Sequence, residues 1–187
     1  MLSELIKKNR SYRRFDSKRK ISTAELREMI EAARCSASAA NRQRIRFALV
    51  NDEDTCAKIF DIVGFAGYLK DWAGPLPTER PVAYVVMMCK DEVIDVNLAM
   101  DMGIAAQSIL LTATEMGLGG CMLRSFKKAE IEEILSRDSY NAGLVIALGA
   151  PSERVYLTDV RESDIKYYRD ENDDHAVPKY SLDEIII

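Results

Sequence analysis

The chain has 187 residues, enough for one sizeable core, and its 48% hydrophobic and 30% charged residues are the balance of an ordinary soluble globular domain, here read as one unit over residues 1–187. A formal net charge of −4 gives the molecule as a whole no electrostatic reason to seek nucleic acid or an anionic membrane, so any anion must be held locally. Met1 to Lys8 carry no apolar core or cleavage site, and no apolar run approaches the roughly 18 to 20 residues that span a bilayer, so the sequence predicts a cytoplasmic protein.

Cys35, Cys56, Cys89 and Cys121 lack the spacing of a zinc site or a redox pair and are expected to be reduced and mostly buried. His175 is the only histidine, which removes most histidine-based metal and triad chemistry. No metal site is expected.

In chain order, Ser22-Thr23-Ala24-Glu25 reads as a capping box, with Leu26, Met29, Ile30 and Ala33 following at helical spacing, so a helix opens near Thr23 and stops near Cys35. The small polar stretch from Ser36 to Gln43 is a loop, and Phe47 to Val50 a short strand. Asp54 is the expected cap of the next helix, with Cys56, Ile59, Phe60 and Val63 on its buried side. Gly64 to Pro81, with the only tryptophan, Trp72, is too irregular for one long element and is expected to be a mobile excursion.

Val82 to Met88 is nearly all apolar and predicts a central strand. The longest helix follows, with Val96, Met100, Gly103, Ile104, Gln107, Leu111 and Thr114 on one face and Ala99, Gly103, Ala105 and Ala106 letting another helix approach. Gly117 to Gly120 end it, and Cys121-Met122-Leu123 lead into a loop before a helix around Ile131, Ile134 and Leu135. Leu144 to Leu148 is a further buried strand, followed by a polar stretch and an apolar tail, Ile185 to Ile187, that should dock on its own sheet or on a partner's. With uneven connections and no G-x-G-x-x-G, an α+β sandwich fits better than a doubly wound dinucleotide fold.

Three segments carry candidate chemistry. Asn9 to Phe15 places three guanidinium groups and a hydroxyl within five residues at the end of a short helix, which is either a phosphate cradle or a solvated basic surface. Ser38 to Gln43 offers amides and hydroxyls that could read the edge of a planar heterocycle, or is simply a polar loop. Gly117 to Gly120 is a helix stop or a close backbone approach to a ligand.

Together and in this order the segments resemble the nitroreductase family of FMN enzymes. The matching stretches are Arg10 to Phe15, Ser38 to Phe47, Met116 to Gly119 and Val177-Pro178-Lys179, spanning essentially the whole chain. The resemblance implies an α+β homodimer, a mainly antiparallel central sheet flanked by helices, with FMN in two interfacial clefts built from both subunits. It implies that Arg10, Ser11, Arg13 and Lys179, with Tyr12 among them, hold the phosphate and nearby flavin groups. Ser38, Ala39 and Asn41, supported by Gln43, would flank the ring from the partner subunit. Leu123, Arg124 and Ser125 would lie along the ring edge and present a backbone N–H.

Ala37, Arg44 and Ile45 stand where the family usually has proline, proline and tryptophan, and Ser181 where some members have a second phosphate-binding arginine. The activity implied is ping-pong transfer from NAD(P)H through FMN to a small acceptor such as a nitroaromatic or quinone, with no catalytic acid or base and with Arg13 stabilising the reduced ring. The alternatives are an FMN storage or redox-sensing protein, or a specialised flavin reaction such as dehalogenation.

Overall fold

The computed structural model describes residues 1–137 and 139–187. A short helix, α1 (Leu2–Lys8), precedes a two-residue strand, β1 (Phe15–Asp16). Helix α2 (Thr23–Arg34) begins at the expected capping box: the Ser22 hydroxyl accepts from the Glu25 amide at 3.2 Å, and the Glu25 carboxylate accepts from the Ser22 amide at 2.8 Å. Two donors that a helix start would leave orphaned are thereby satisfied. Leu26, Met29 and Ala33 form its buried face.

Strand β2 (Arg46–Val50) is followed by α3 (Glu53–Phe60). The cap of α3 is Asp52 rather than Asp54: its carboxylate accepts from the Thr55 amide at 2.8 Å. Asp54 lies inside the first turn, where its charge suits the helix dipole but its backbone is already helical. Gly64 to Pro81 holds only turns and a 3₁₀ turn at Pro77–Glu79.

Strand β3 (Ala83–Cys89), helix α4 (Val96–Glu115), strand β4 (Gly119–Leu123), helix α5 (Lys128–Ile134) and strand β5 (Asn141–Pro151) complete the main body. The stretch Cys121 to Leu123 is thus a strand, not the lead into a loop. Strand β5 pairs with β3 on one side; on the other it pairs with β4 and then, at Ala150 and Pro151, with β1. Strand β2 closes the far edge of β3, and every pairing in this sheet is antiparallel.

The apolar run of β3 follows from burial of both its faces. Ala83, Val85, Met87 and Cys89 pack with the α2 and α4 side chains, and Tyr84, Val86 and Met88 with those of α3 and α5. Each large apolar side chain so enclosed contributes about 1.5 to 3 kcal/mol relative to exposure.

By length and composition α4 is apolar enough to cross a membrane, a property that counting apolar runs overlooked. Here it packs on α2 and the sheet through Leu98, Met102, Ala105, Ala106, Ile109 and Ala113. Ala105 and Ala106 therefore serve their own core, and Thr114 is buried with its hydroxyl donating to the Leu110 carbonyl at 2.7 Å, away from the expected shared face. Val96, Met100, Gly103 and Ile104 are exposed.

The stretch after Pro151, read as merely polar, holds a second sheet of β6 (Val155–Asp159), β7 (Tyr168–Arg169) and β8 (His175–Lys179). Strand β8 lies between the others, parallel to β6 and antiparallel to β7. A short helix, α6 (Leu182–Ile185), leads to a tail whose Ile185, Ile186 and Ile187 are exposed, so the tail is not docked on its own sheet. Three cysteines are buried and Cys35 is exposed.

Candidate functional site

The segment after α1 crosses the start of β4. Ser11 forms a parallel bridge with Gly120, and the Tyr12 amide donates to the Gly120 carbonyl at 3.1 Å. The approach is close enough to exclude side chains: a Cβ on Gly119 would lie 2.5 Å from the Tyr12 ring, and one on Gly120 2.5 Å from the Ala147 carbonyl oxygen. Tyr12 is buried and its hydroxyl donates to the Lys8 carbonyl at 2.9 Å, so it packs on its own chain. Ser11 is exposed. The half-buried Arg10 donates through Nη2 to the Ile6 carbonyl at 2.8 Å, and its Nε is buried without a partner.

Arg13 is held on several sides. Its Nη1 lies 3.0 Å from the Ser11 carbonyl and 3.0 Å from His175 Nε2, and the Tyr167 ring lies over the guanidinium at 4.4 Å. The Glu153 carboxylate accepts from the Arg13 amide, from the Arg14 amide at 3.0 Å and from Arg169 Nη2 at 2.5 Å. Arg14 pairs with Asp173, and Trp72 lies near both Arg14 and Arg169, 5.9 Å and 5.7 Å from ring centre to guanidinium. His175 is fully buried, and burial, then the charges of Arg13, Arg169 and Arg14, bring its pKa down to about 4.

Beyond Gly120 the edge of β4 that faces away from β5 carries no further strand pairing among the described residues. Three residues along that edge, roughly 10 Å at strand spacing, lies Leu123, followed by the exposed Arg124 and Ser125. The Ser125 carbonyl accepts from the Gly64 amide at 2.7 Å, and Arg124 Nη1 donates to the Gly143 carbonyl at 3.4 Å. Arg10, Ser11, Arg13, Leu123, Arg124 and Ser125 thus sit on or beside β4, whereas Lys179 is exposed at the far end of β8, four residues from His175 and roughly 13 Å at strand spacing, where its carbonyl accepts from the Val160 amide.

Ser38, Ala39, Asn41 and Gln43 lie elsewhere. The Ala39 amide donates to Asp101 Oδ1 on α4 at 2.8 Å, and the Gln43 amide reaches Ser38 Oγ at 3.4 Å. Their loop borders a cavity of about 710 Å³ floored by Ile30, Ile45 and Phe47. Asp101 is fourteen residues before Glu115, about 20 Å at helical rise, and the chain turns at Gly117 directly into β4. One chain therefore leaves the Ser38 loop and the Arg10 segment apart.

Sequence reasoning missed Asp101, Glu153, Tyr167 and Arg169, and found no role for His175. A single charged or aromatic residue without a motif carries no signal of its own; Asp101 becomes visible only when the Ser38 loop is laid on α4, and the others only when the chain after β5 is placed against Arg13.

The nitroreductase family pattern matches residues 6–66 and 68–150, and the chain belongs to that family. A protein of Methanothermobacter thermautotrophicus named as an NADH dehydrogenase/NAD(P)H nitroreductase is 28% identical over 169 residues, covering 86% of this chain and 83% of its own. The fold matches the crystal structure of a nitroreductase family protein from Streptococcus pneumoniae at a TM-score of 0.71 and 18% identity, covering 100% of this chain and 99% of that one. It also matches an FMN-dependent nitroreductase from Clostridium difficile at a TM-score of 0.65 and 21% identity, over 88% of this chain and 94% of that one.

Proposed function

We propose that this chain is a cytoplasmic, homodimeric FMN-dependent oxidoreductase that passes electrons from NADH or NADPH to a small acceptor, a quinone or nitroaromatic, in a ping-pong cycle. The observation that carries the reading is the free edge of β4, with Ser11 at one end and Leu123 at the other, a span of the order of a ribityl chain. The residues at the Ser11 end suit a phosphate: Arg10 Nε and Arg13 Nε are buried donors without partners, beside an exposed serine hydroxyl.

Arg10, Ser11 and Lys179 would hold the phosphate, with Arg13 lending positive charge toward the ring and Tyr12 fixing the segment on β4. The Leu123 to Ser125 stretch would offer a backbone amide at the ring edge. Ser38, Ala39, Asn41 and Gln43 would come from the second subunit, which accounts for their separation within one chain. When bound, FMN supplies the redox chemistry, accepting electrons from the nicotinamide and releasing them to the acceptor. This chain's part is binding, orientation and a fixed electrostatic field.

The names of the relatives support the reading, one an NAD(P)H nitroreductase and one an FMN-dependent enzyme. The exposed apolar residues of α4 and of the tail support a dimer. The test is acid release and chromatography of the cofactor from purified protein, then anaerobic titration with NADH and NADPH and an acceptor screen. Stoichiometric FMN, reduced by a nicotinamide and reoxidised by a quinone or nitroaromatic, is expected. A flavin that neither nicotinamide reduces would mark a storage protein instead.

A further inference from the structure

The Ser38 loop adopts a backbone that its side chains disfavour. Ala40, Asn41 and Gln43 have φ of +50°, +52° and +48°, in the left-handed region that asparagine adopts more readily than alanine or glutamine. Such a backbone persists only where its surroundings impose it. Ala37 and Arg44 flank the loop, so no proline ring fixes its backbone on either side. A proline at 44 would also conflict with Gln43, because the residue before a proline is driven to extended backbone.

Two contacts to α4 impose the loop's shape instead. Asp101, only 4% exposed, accepts the Ala39 amide at 2.8 Å where the loop begins. Where it ends, Arg44 grips Asp95 with bonds of 2.8 Å and 2.9 Å and Asp91 with one of 3.1 Å. Asp95 is itself fixed, since it caps α4 by accepting the Leu98 amide at 2.8 Å. The second Asp101 oxygen is buried without a partner, an arrangement that costs free energy and that core packing alone does not call for.

We infer that Asp101 and Arg44 are positioning residues that staple the Ser38–Gln43 loop to α4 and its N-cap, pre-setting the loop for a flavin ring. The staple is a property of this chain's own backbone; its use for the ring rests on the function proposed above. Neither side chain needs to touch the cofactor. The Ala39 amide needs only an oxygen acceptor, so the charge of Asp101 is dispensable and its Oδ1 is not.

The test compares Asp101→Ala, Asp101→Asn and Arg44→Ala with wild type as purified. One readout is the rate of native-state trypsin cleavage after the exposed Arg42, assigned by mass spectrometry; the other is FMN affinity, with thermal midpoints followed in parallel. Asp101→Ala is expected to be cut roughly tenfold faster and to bind FMN roughly tenfold more weakly, as befits loss of one buried hydrogen bond, and Asp101→Asn to stay within about twofold of wild type in both. Arg44→Ala, a partly exposed site compatible with folding, should also be cut faster. Wild-type cleavage and affinity in Asp101→Ala would overturn the inference, and if that variant does not fold, wild-type cleavage in Arg44→Ala would overturn it. Should wild type bind no FMN, the functional reading fails while the trypsin comparison still decides the staple.

Discussion

Nε2 of His175 stands 3.0 Å from Nη1 of Arg13, with no solvent access to the imidazole. A guanidinium offers donors and no acceptor, so Arg13 donates, His175 accepts through Nε2, and the proton of the neutral ring resides on Nδ1, which is buried without a partner. The chain's one histidine is thus a neutral brace for Arg13, and protonating it would replace an acceptor with a donor facing a cation.

That brace makes stability depend on pH in a defined window. The folded pKa is about 4 against an ordinary 6.5, so between these values the unfolded chain binds a proton that the folded chain refuses. The contribution of this brace is therefore fully present above pH 6.5 and falls by about 1 to 3 kcal/mol as the pH drops toward 4. Glu25 and Asp95, both held at about 2, weaken the fold mainly below that window. Urea unfolding at several pH values measures it, and His175→Phe should remove most of the slope between pH 6.5 and 4.5.

Glu153 is a second brace, its side chain 2% exposed and its oxygens bonded to two amides and Arg169. Glu153→Ala should cost about 1 to 3 kcal/mol by leaving the Arg13 and Arg14 amides without their acceptor, while Arg169 keeps Asp173. Glu153→Gln, which still accepts from the amides, should cost less. Chemical denaturation gives both numbers.

Arg10 should matter for cofactor retention more than for turnover. Arg10→Ala removes one charge-assisted phosphate contact, about 1.5 to 3 kcal/mol, or roughly ten- to a hundredfold in FMN affinity. Riboflavin, which lacks the phosphate, should bind wild type and variant alike. Flavin fluorescence quenching and turnover at saturating FMN check this, and unchanged affinity would return Arg10 to a solvated basic surface.

Association through α4 is tested by placing charge on its exposed residues Met100 and Ile104, which are 60% and 44% exposed. Obligate interfaces bury about 2,000 Å² or more, so Met100→Glu combined with Ile104→Glu should give a folded monomer that has lost FMN. Sedimentation with absorbance detection at flavin wavelengths reads both properties. A variant that stays dimeric would place the interface elsewhere.

What could be read from the residues was whatever announces itself locally. The Ser22 and Glu25 capping box, the apolar run of β3 and the Gly117 stop each depend on a few neighbouring residues, and each stands where expected. Strand β4 escaped because three apolar residues after a glycine pair look like the end of a turn, and their strand identity depends on β5 lying alongside. Strands β6 to β8 escaped because they are short and mostly part-exposed, so their alternation is faint. Choosing Asp54 over Asp52 as a cap was an error of the same kind, since capping depends on which residue's backbone leaves the helix. The candidate residues Arg10 to Arg13 were legible from charge density, but the partners of Arg13 come from far along the chain.

That distance sets an order of events during synthesis. Arg13 leaves the ribosome long before its partners: its amide waits for Glu153, 140 positions later, and its guanidinium for His175, 162 positions later. The family pattern ends at residue 150, before either brace. A nascent chain short of residue 175 has every strand of its main sheet and still lacks the acceptor that holds the Arg13 guanidinium, so the basic segment takes its final shape only once the second sheet is made.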